Sequence, residues 1–197
     1  MAKSRIEKYI LYLFQYFIKL GALNRAVLGG CDYFITPLSP DLFSIKGTQN
    51  LGNKFVSWHD EWNNNLRRWK QPNSGIPVSD LPQGIPKFLG YVTQQHNIRN
   101  TNSGMTAGWS IFGDKVDEAV RKNIVDQLAP LGQSDEKEDY LLGQIPNLHS
   151  LIPYSLNAHK PVYKCNSSDG LTGSHISKAR ESKELYQEII NTIQELL

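Results

Sequence analysis

Cysteine is scarce in this chain, since only Cys31 and Cys165 occur among its 197 residues. Small secreted domains that depend on disulfides carry many closely spaced cysteines. The sequence therefore predicts no disulfide framework and favours a reduced, cytoplasmic setting. The two thiols and the scattered histidines also lack the spacing of a zinc site. No metal ligand and no catalytic nucleophile is predicted.

Long hydrophobic runs are missing as well. The one candidate, residues 6–18, is shorter than the roughly 20 apolar residues that a membrane-spanning helix needs. We therefore expect no integral membrane segment. The apolar residues recur at three- and four-residue steps, which predicts an amphipathic helix over residues 1–19. That helix either packs on the domain or binds a membrane surface or a partner.

A strong charge of either sign is absent, because the formal net charge is +2. The overall field therefore indicates neither nucleic acid nor a membrane as a partner. A local basic cluster is formed by Arg67, Arg68 and Lys70. These three residues are candidate contacts for DNA phosphates, and the alternative is a solvated helix face.

Helical and strand-like segments alternate along the chain. Helices are predicted at residues 23–28, 42–70, 109–131 and 172–197, and strands at 31–38, 88–94 and 162–165. Gly47 and Gly52 weaken the second helix, so we expect it to be bent or broken. Residues 145–158 contain two Ile-Pro pairs and are predicted as loop and short helix. The alternation predicts a three-layer α/β domain over residues 20–197, with a mostly parallel sheet flanked by helices.

Three segments resemble the ParA/MinD-type (deviant Walker) P-loop ATPases. The first, residues 20–51, reads LGALNRAVLGGCDYFITPLSPDLFSIKGTQNL. Like the family, it has a helix that ends in a pair of small residues and then a buried strand that ends near a proline, here Pro37. The next helix begins with an acid-x-x-Ser-x-x-Gly pattern, which starts here at Asp41. The second is LGYVTQQ at residues 89–95. The third is IPNLHSLIPYSLNAHKPVYK at residues 145–164, with an Ile-Pro pair followed by Lys-Pro-Val.

The resemblance implies ATP and magnesium as cofactors, and a role in DNA partitioning or intracellular positioning. In the family, the loop after the Ile-Pro pair lies against the adenine ring. Carried over to this chain, that marks Pro146 and Asn147, with Gln94 on the neighbouring strand end, as nucleotide-binding residues.

The sequence departs from the family at the phosphate side of the nucleotide. No K-G-G-x-G-K-[ST] turn occurs, and no acidic residue lies between Glu7 and Asp32, where the family places its metal-side carboxylate. Phosphoryl transfer depends on these groups. We therefore expect a partial or degenerate member that lacks the P-loop strand-helix unit, binds nucleotide weakly or not at all on its own, and does not hydrolyse ATP alone.

A chain without those strands is expected to expose a sheet edge. Either the edge pairs with a second copy or with a partner chain carrying the P-loop half, or the predicted amino-terminal helix covers it. The alternative function is a non-catalytic interaction subunit that completes or regulates a partner ATPase. A further alternative is a gene remnant with no independent activity.

Overall fold

The computed structural model describes residues 10–12, 21–69, 81, 84–96 and 107–197. One sheet contains four strands in the order β1 (Ile10–Tyr12), β2 (Tyr33–Leu38), β3 (Lys87–His96) and β4 (Leu141–Pro146). Every neighbouring pair is parallel. The predicted α/β class with a parallel sheet is confirmed.

The helices of the described residues surround this sheet. They are α1 (Ala22–Gly29), α2 (Leu42–Trp69), α3 (Ala107–Val120), α4 (Asp126–Leu128), α5 (Leu151–Ala158) and α6 (Ser174–Glu195). A π-helix, Arg121–Val125, joins α3 to α4, and single 3-10 turns occupy Ala129–Leu131, Val162–Lys164 and Ser167–Asp169. The predicted helices that correspond to α1, α2 and α6 are confirmed.

The core lies on both faces of the sheet, because successive strand residues point to opposite sides. On one face, Phe34 of β2 packs with Phe55 of α2 and Val120 of α3 in a buried cluster. On the other face, Ile35 packs with Ile189 of α6. Helices thus cover the sheet from two sides, as the predicted three layers require.

The predicted amino-terminal helix is wrong at Ile10–Tyr12, because these residues form β1. Ile10 is in register with Tyr33 and Tyr12 with Ile35. A short apolar run suits a buried strand as well as a helix, so periodicity alone does not separate the two. The remainder of residues 1–19 lies outside the described residues.

Two further differences concern the carboxy-terminal half. Val162–Lys164 is a 3-10 turn and not the predicted strand. Conversely, Leu141–Pro146 forms β4, where no strand was predicted. β4 pairs with the backbone of β3, whereas Val162–Lys164 joins no strand, so pairing in the sheet determines which of these two short segments is a strand.

Helix α2 is a single helix of 28 residues, so the predicted break at Gly47 or Gly52 is wrong. Gly52 lies where α2 meets the π-helix, and a Cβ at this position would overlap the carbonyl oxygen of Asn123. The glycine therefore serves close helix packing and does not end the helix.

Candidate functional site

The carboxyl ends of β2, β3 and β4 meet at one edge of the sheet because the strands are parallel. Gln94 of β3 is in register with Ile145 of β4, and His96 is in register with Pro146. In open parallel sheets, ligands bind in the crevice outside the carboxyl ends of the strands. The predicted nucleotide-binding residues therefore lie at the edge where such a site is expected.

Gln94 and Ser39 are among the buried polar side chains near this edge that have unmet hydrogen-bonding capacity. Among the described residues, the buried Nε2 of Gln94 and the buried Oγ of Ser39 have no hydrogen-bond partner. Ser39 follows the last residue of β2, and Leu38 of that strand is in register with Thr93, the neighbour of Gln94. A buried donor without a partner costs about 1–3 kcal/mol, and a polar ligand bound at this edge would remove that cost.

Pro146 and Asn147 line a small cavity of about 240 Å³ between the β4–α5 loop and α6. The helix contributes His175, Lys178 and Ser182 to its wall. Pockets that hold drug-sized ligands have volumes of about 300–1,000 Å³. This cavity is smaller, so it suits a group of nucleobase size. Gln94 is on the neighbouring strand and is not part of this wall.

The loop that carries Asn147 is held in a tight turn. The Oδ1 of Asn147 accepts a hydrogen bond from the backbone N–H of His149 at 2.9 Å, and His149 has a positive φ of 40°. Ser150 Oγ lies 3.4 Å from His175 Nε2 of α6. The Oδ1 of Asn147 therefore orients the loop, while its amide N–H groups face no partner within the described residues.

The acid-x-x-Ser motif at the start of α2 has a structural role. Asp41 Oδ1 accepts a hydrogen bond from the backbone N–H of Ser44 at 2.7 Å, and Ser44 Oγ accepts one from the backbone N–H of Ser39 at 2.9 Å. Together they satisfy free amides at the helix start and join it to the end of β2.

The predicted DNA contacts lie at the far end of α2. Arg67 and Arg68 occupy its last turn and are exposed. Lys70 lies outside the described residues. Cations in the last turn of a helix also interact favourably with its dipole, which is the structural interpretation of the same residues.

A second, larger concavity was missed by the sequence analysis. It is an open groove of about 1170 Å³ between the α3–α4 helical segment and the outer part of the sheet. Its lining includes six carboxylates, which are Asp114, Asp117, Glu118, Asp126, Glu138 and Asp139. A signal was available, because Asp114, Glu118 and Asp126 recur at multiples of four residues on one predicted helix.

Arg121 forms several hydrogen bonds along one side of this acidic groove. Its guanidinium donates to Asp117 Oδ2 at 2.7 Å and to the backbone oxygens of Lys137 and Glu138 at 3.4 and 2.6 Å. The hydroxyl of Tyr91 donates to Asp117 Oδ1 at 3.3 Å. Burial, together with the charge of Asp117, raises the pKa of Tyr91, so that its hydroxyl remains a donor.

Within the described ranges, no group of three or more His, Cys, Asp or Glu side chains is placed to hold a metal ion. No helix within them is long and apolar enough to cross a membrane.

Comparisons with known proteins leave the family open. No family model matches the chain, and no curated protein matches it. Among solved structures, it is similar to protein DIP2308 from Corynebacterium diphtheriae, with 24% identity and a TM-score of 0.46. The likeness covers 71% of this chain and 45% of that chain. Similarity at this level assigns neither a family nor an activity.

Proposed function

We propose that this chain is a partial or degenerate relative of the ParA/MinD-type ATPases that holds the base of a purine nucleotide at the carboxyl edge of its sheet. The observation that carries the proposal is the placement of Gln94, Pro146 and Asn147. Two of these residues share one cavity, and the third lies at the end of the adjacent strand.

The chemistry of these groups suits a purine ring. Pro146 offers an apolar surface to the face of a flat ring. The amides of Gln94 and Asn147 contain both donors and acceptors, as does the edge of adenine. Because the Gln94 Nε2 is buried without a partner in the described residues, a hydrogen bond donated by this nitrogen to a ring nitrogen of the base would satisfy it.

In this proposal the phosphates of the nucleotide contribute little to its affinity for the chain. A bound ATP with Mg²⁺ would supply the phosphoryl group and its neutralising cation, but the sequence has no phosphate-binding turn of the family type. Among the described residues, Lys178 is a cation in the cavity wall, and Glu181 lies in the same wall. We therefore expect a dissociation constant in the millimolar range, which corresponds to a binding free energy of about 4 kcal/mol in magnitude. We expect no ATP hydrolysis by this chain alone. A cytoplasmic role in DNA partitioning or positioning belongs to the same proposal.

Calorimetric titration with adenosine and with ATP, in the presence and absence of Mg²⁺, tests this function. We expect similar weak binding of both ligands, with little effect of Mg²⁺. Asn147→Ala and Gln94→Leu should each weaken it about fivefold or more, the loss expected for one hydrogen bond. Asn157→Ala, which removes an exposed amide on α5, is the matched control. Tight Mg²⁺-dependent binding, or equal binding by all variants, would contradict the proposal.

A second candidate function is a non-catalytic interaction subunit that completes or regulates a partner ATPase. It is favoured by Leu42 and Phe43, which begin α2 next to the carboxyl edge and are 69% and 88% exposed. In addition, the outer side of β1 has no pairing strand among the described residues. Such an edge is a template for pairing with another chain.

Light scattering coupled to size exclusion distinguishes this candidate. An interaction subunit should form oligomers as its concentration rises, or a complex with a chain carrying the P-loop half. Phe43→Ser should reduce either association. A monomer at every concentration, with no binding to such a chain, would discard the candidate.

A further inference from the structure

The acidic groove lies apart from the proposed base site. Its base is formed by side chains of the sheet, including Tyr91 and Thr93 of β3 and Gln144 of β4. None of its lining residues is Gln94, Pro146 or Asn147. An inference about this groove therefore stands or fails independently of nucleotide binding.

Negative charge dominates the groove. Among the described lining residues, six carboxylates stand against two cations, Arg121 and Lys122. The charge of Arg121 is already engaged by Asp117 at 2.7 Å and by backbone carbonyls. Carboxylates gathered around a concave surface reinforce one another's field, which concentrates cations there.

A second observation indicates a ligand. Thr93 lies against the groove and is 4% exposed, yet its Oγ1 has no hydrogen-bond partner among the described residues. Buried hydroxyls almost always have a partner, and each exception calls for an explanation. A bound N–H donor would satisfy this oxygen. Because the oxygen is buried, a slender chain reaches it more easily than a peptide backbone does.

Two carboxylates on the helical side of the groove are spaced by one turn of the helix. Asp114 and Glu118 are four residues apart on α3, so their positions are separated by about 6 Å along the helix axis. A short methylene linker between two ammonium groups spans a similar length. One linear molecule can therefore pair successive ammonium groups with successive turns of the helix.

We propose that the acidic groove binds a linear organic polycation of the polyamine class, with its ammonium groups paired to Asp114 and Glu118 and one N–H donated to Thr93 Oγ1. The π-helix supports this assignment, since π-helical turns occur frequently at functional sites. It begins at Arg121, which joins α3 to the Lys137–Glu138 segment on the opposite side of the groove.

Calorimetric titration of the full chain with spermidine, at low and moderate salt, tests the proposal. We expect one spermidine bound per chain, with affinity that falls as salt rises. The double variant Asp114→Asn/Glu118→Gln should weaken binding about tenfold, since two exposed ion pairs with the ligand are lost. Both side chains are exposed, so the fold should be retained, and circular dichroism checks this. Thr93→Val should also weaken spermidine binding, although it removes no charge.

The matched control is Glu184→Gln/Glu188→Gln, which removes two exposed carboxylates of α6 outside the groove. Its affinity for spermidine should stay within about twofold of the unaltered chain. Equal losses in the two double variants would show general charge attraction and overturn the proposal. Absence of binding, or tetralysine binding more tightly than spermidine, would overturn it as well, the latter by indicating a basic peptide.

Discussion

Gly52 shows how one residue sets the distance between two helices. The structure leaves no room for a Cβ, because that atom would overlap the carbonyl oxygen of Asn123. The side chain of Asn123 donates to Thr48 Oγ1 at 2.9 Å, which holds the two helices together at the same place. Any larger residue must push α2 away from the π-helix or distort one of them.

We therefore expect Gly52→Ala to lower the free energy of unfolding by about 1–3 kcal/mol, the usual range for overpacking. Urea unfolding followed by circular dichroism measures this. Gly113→Ala is the control, because a Cβ at Gly113 meets no described atom within 4 Å. It should leave stability unchanged or raise it by up to about 1 kcal/mol, since alanine favours helix. A similar loss in both variants would contradict the packing argument.

Ionisation of Asp169 should make the free energy of unfolding depend on pH in the acid range. Its carboxylate accepts hydrogen bonds from Lys160 Nζ at 2.7 Å and from the backbone N–H of Asn166 at 3.1 Å. The Lys160 bond first, and then the Asn166 bond, hold the pKa of Asp169 below its ordinary value. A carboxyl group whose pKa is lower in the folded chain stabilises the fold when it is ionised.

Asp169→Asn should therefore be less stable than the unaltered chain at neutral pH. The difference should be complete above the ordinary Asp pKa of about 3.9 and should shrink as pH falls through the lower folded pKa. Urea midpoints of both proteins, measured from neutral pH down to the acid limit of folding, give the comparison. A difference that stays constant with pH would show that ionisation of Asp169 does not matter.

At the scale of elements, the apolar residues of the third predicted helix recur at steps of four, and the π-helix within it explains how they all face the core. Val116, Val120, Ile124 and Leu128 are all buried. In a regular α-helix, steps of four residues drift around the axis by about 40° each. The wider turn of the π-helix Arg121–Val125 compensates for this drift and keeps Ile124 and Leu128 facing the core.

Arg121 connects that π-helix to the segment before β4, and this connection should be measurable. Arg121→Lys keeps the charge but loses the forked geometry that reaches Asp117 and two backbone carbonyls at once. We expect a loss of about 1 kcal/mol, a modest value because the side chain is 39% exposed. Urea unfolding measures it, and hydrogen exchange of residues 135–140 should become faster.

The neighbouring Lys122 is the control for Arg121. It is exposed, and Lys122→Ala should change stability by less than about 0.5 kcal/mol. If Lys122→Ala destabilised the chain as much as Arg121→Lys, helix charge and not the Arg121 contacts would explain both results.

At the scale of the whole molecule, the position of the basic cluster decides which DNA experiment is informative. Arg67 and Arg68 are exposed at the end of α2, so they are free to reach phosphates. We propose non-specific duplex binding through them. Arg67→Gln/Arg68→Gln should weaken binding to random duplex DNA and lower the slope of log affinity against log salt by about two. Electrophoretic mobility shift at several salt concentrations measures both quantities.

The matched control for DNA is Arg180→Gln/Lys183→Gln, which removes two exposed cations of α6. It changes the net charge by the same amount at another surface. Equal effects of the two double variants would attribute the binding to overall charge. No shift with the unaltered chain would remove DNA from the proposed partners.

Residue patterns alone determined the fold class and most long elements. Strong periodicity over many residues predicts α2 and α6, and a continuous apolar run closed by Pro37 predicts β2. The family resemblance marked Pro146, the last residue of β4, and the adjacent Asn147 as nucleotide-binding residues, and this role stays a prediction. These features depend on neighbours along the chain, which is why the sequence alone contains them.

Contacts between distant segments decided the rest. Ile10–Tyr12 and Leu141–Pro146 became strands because β2 and β3 offered them hydrogen-bonding partners, whereas Val162–Lys164 did not join the sheet. The acidic groove brings α3 together with the segment before β4, and Arg121 joins the two through hydrogen bonds to the backbone oxygens of Lys137 and Glu138. Short segments have weak local preferences, so the free energy of pairing and packing chooses their structure, and that free energy depends on residues far away in sequence.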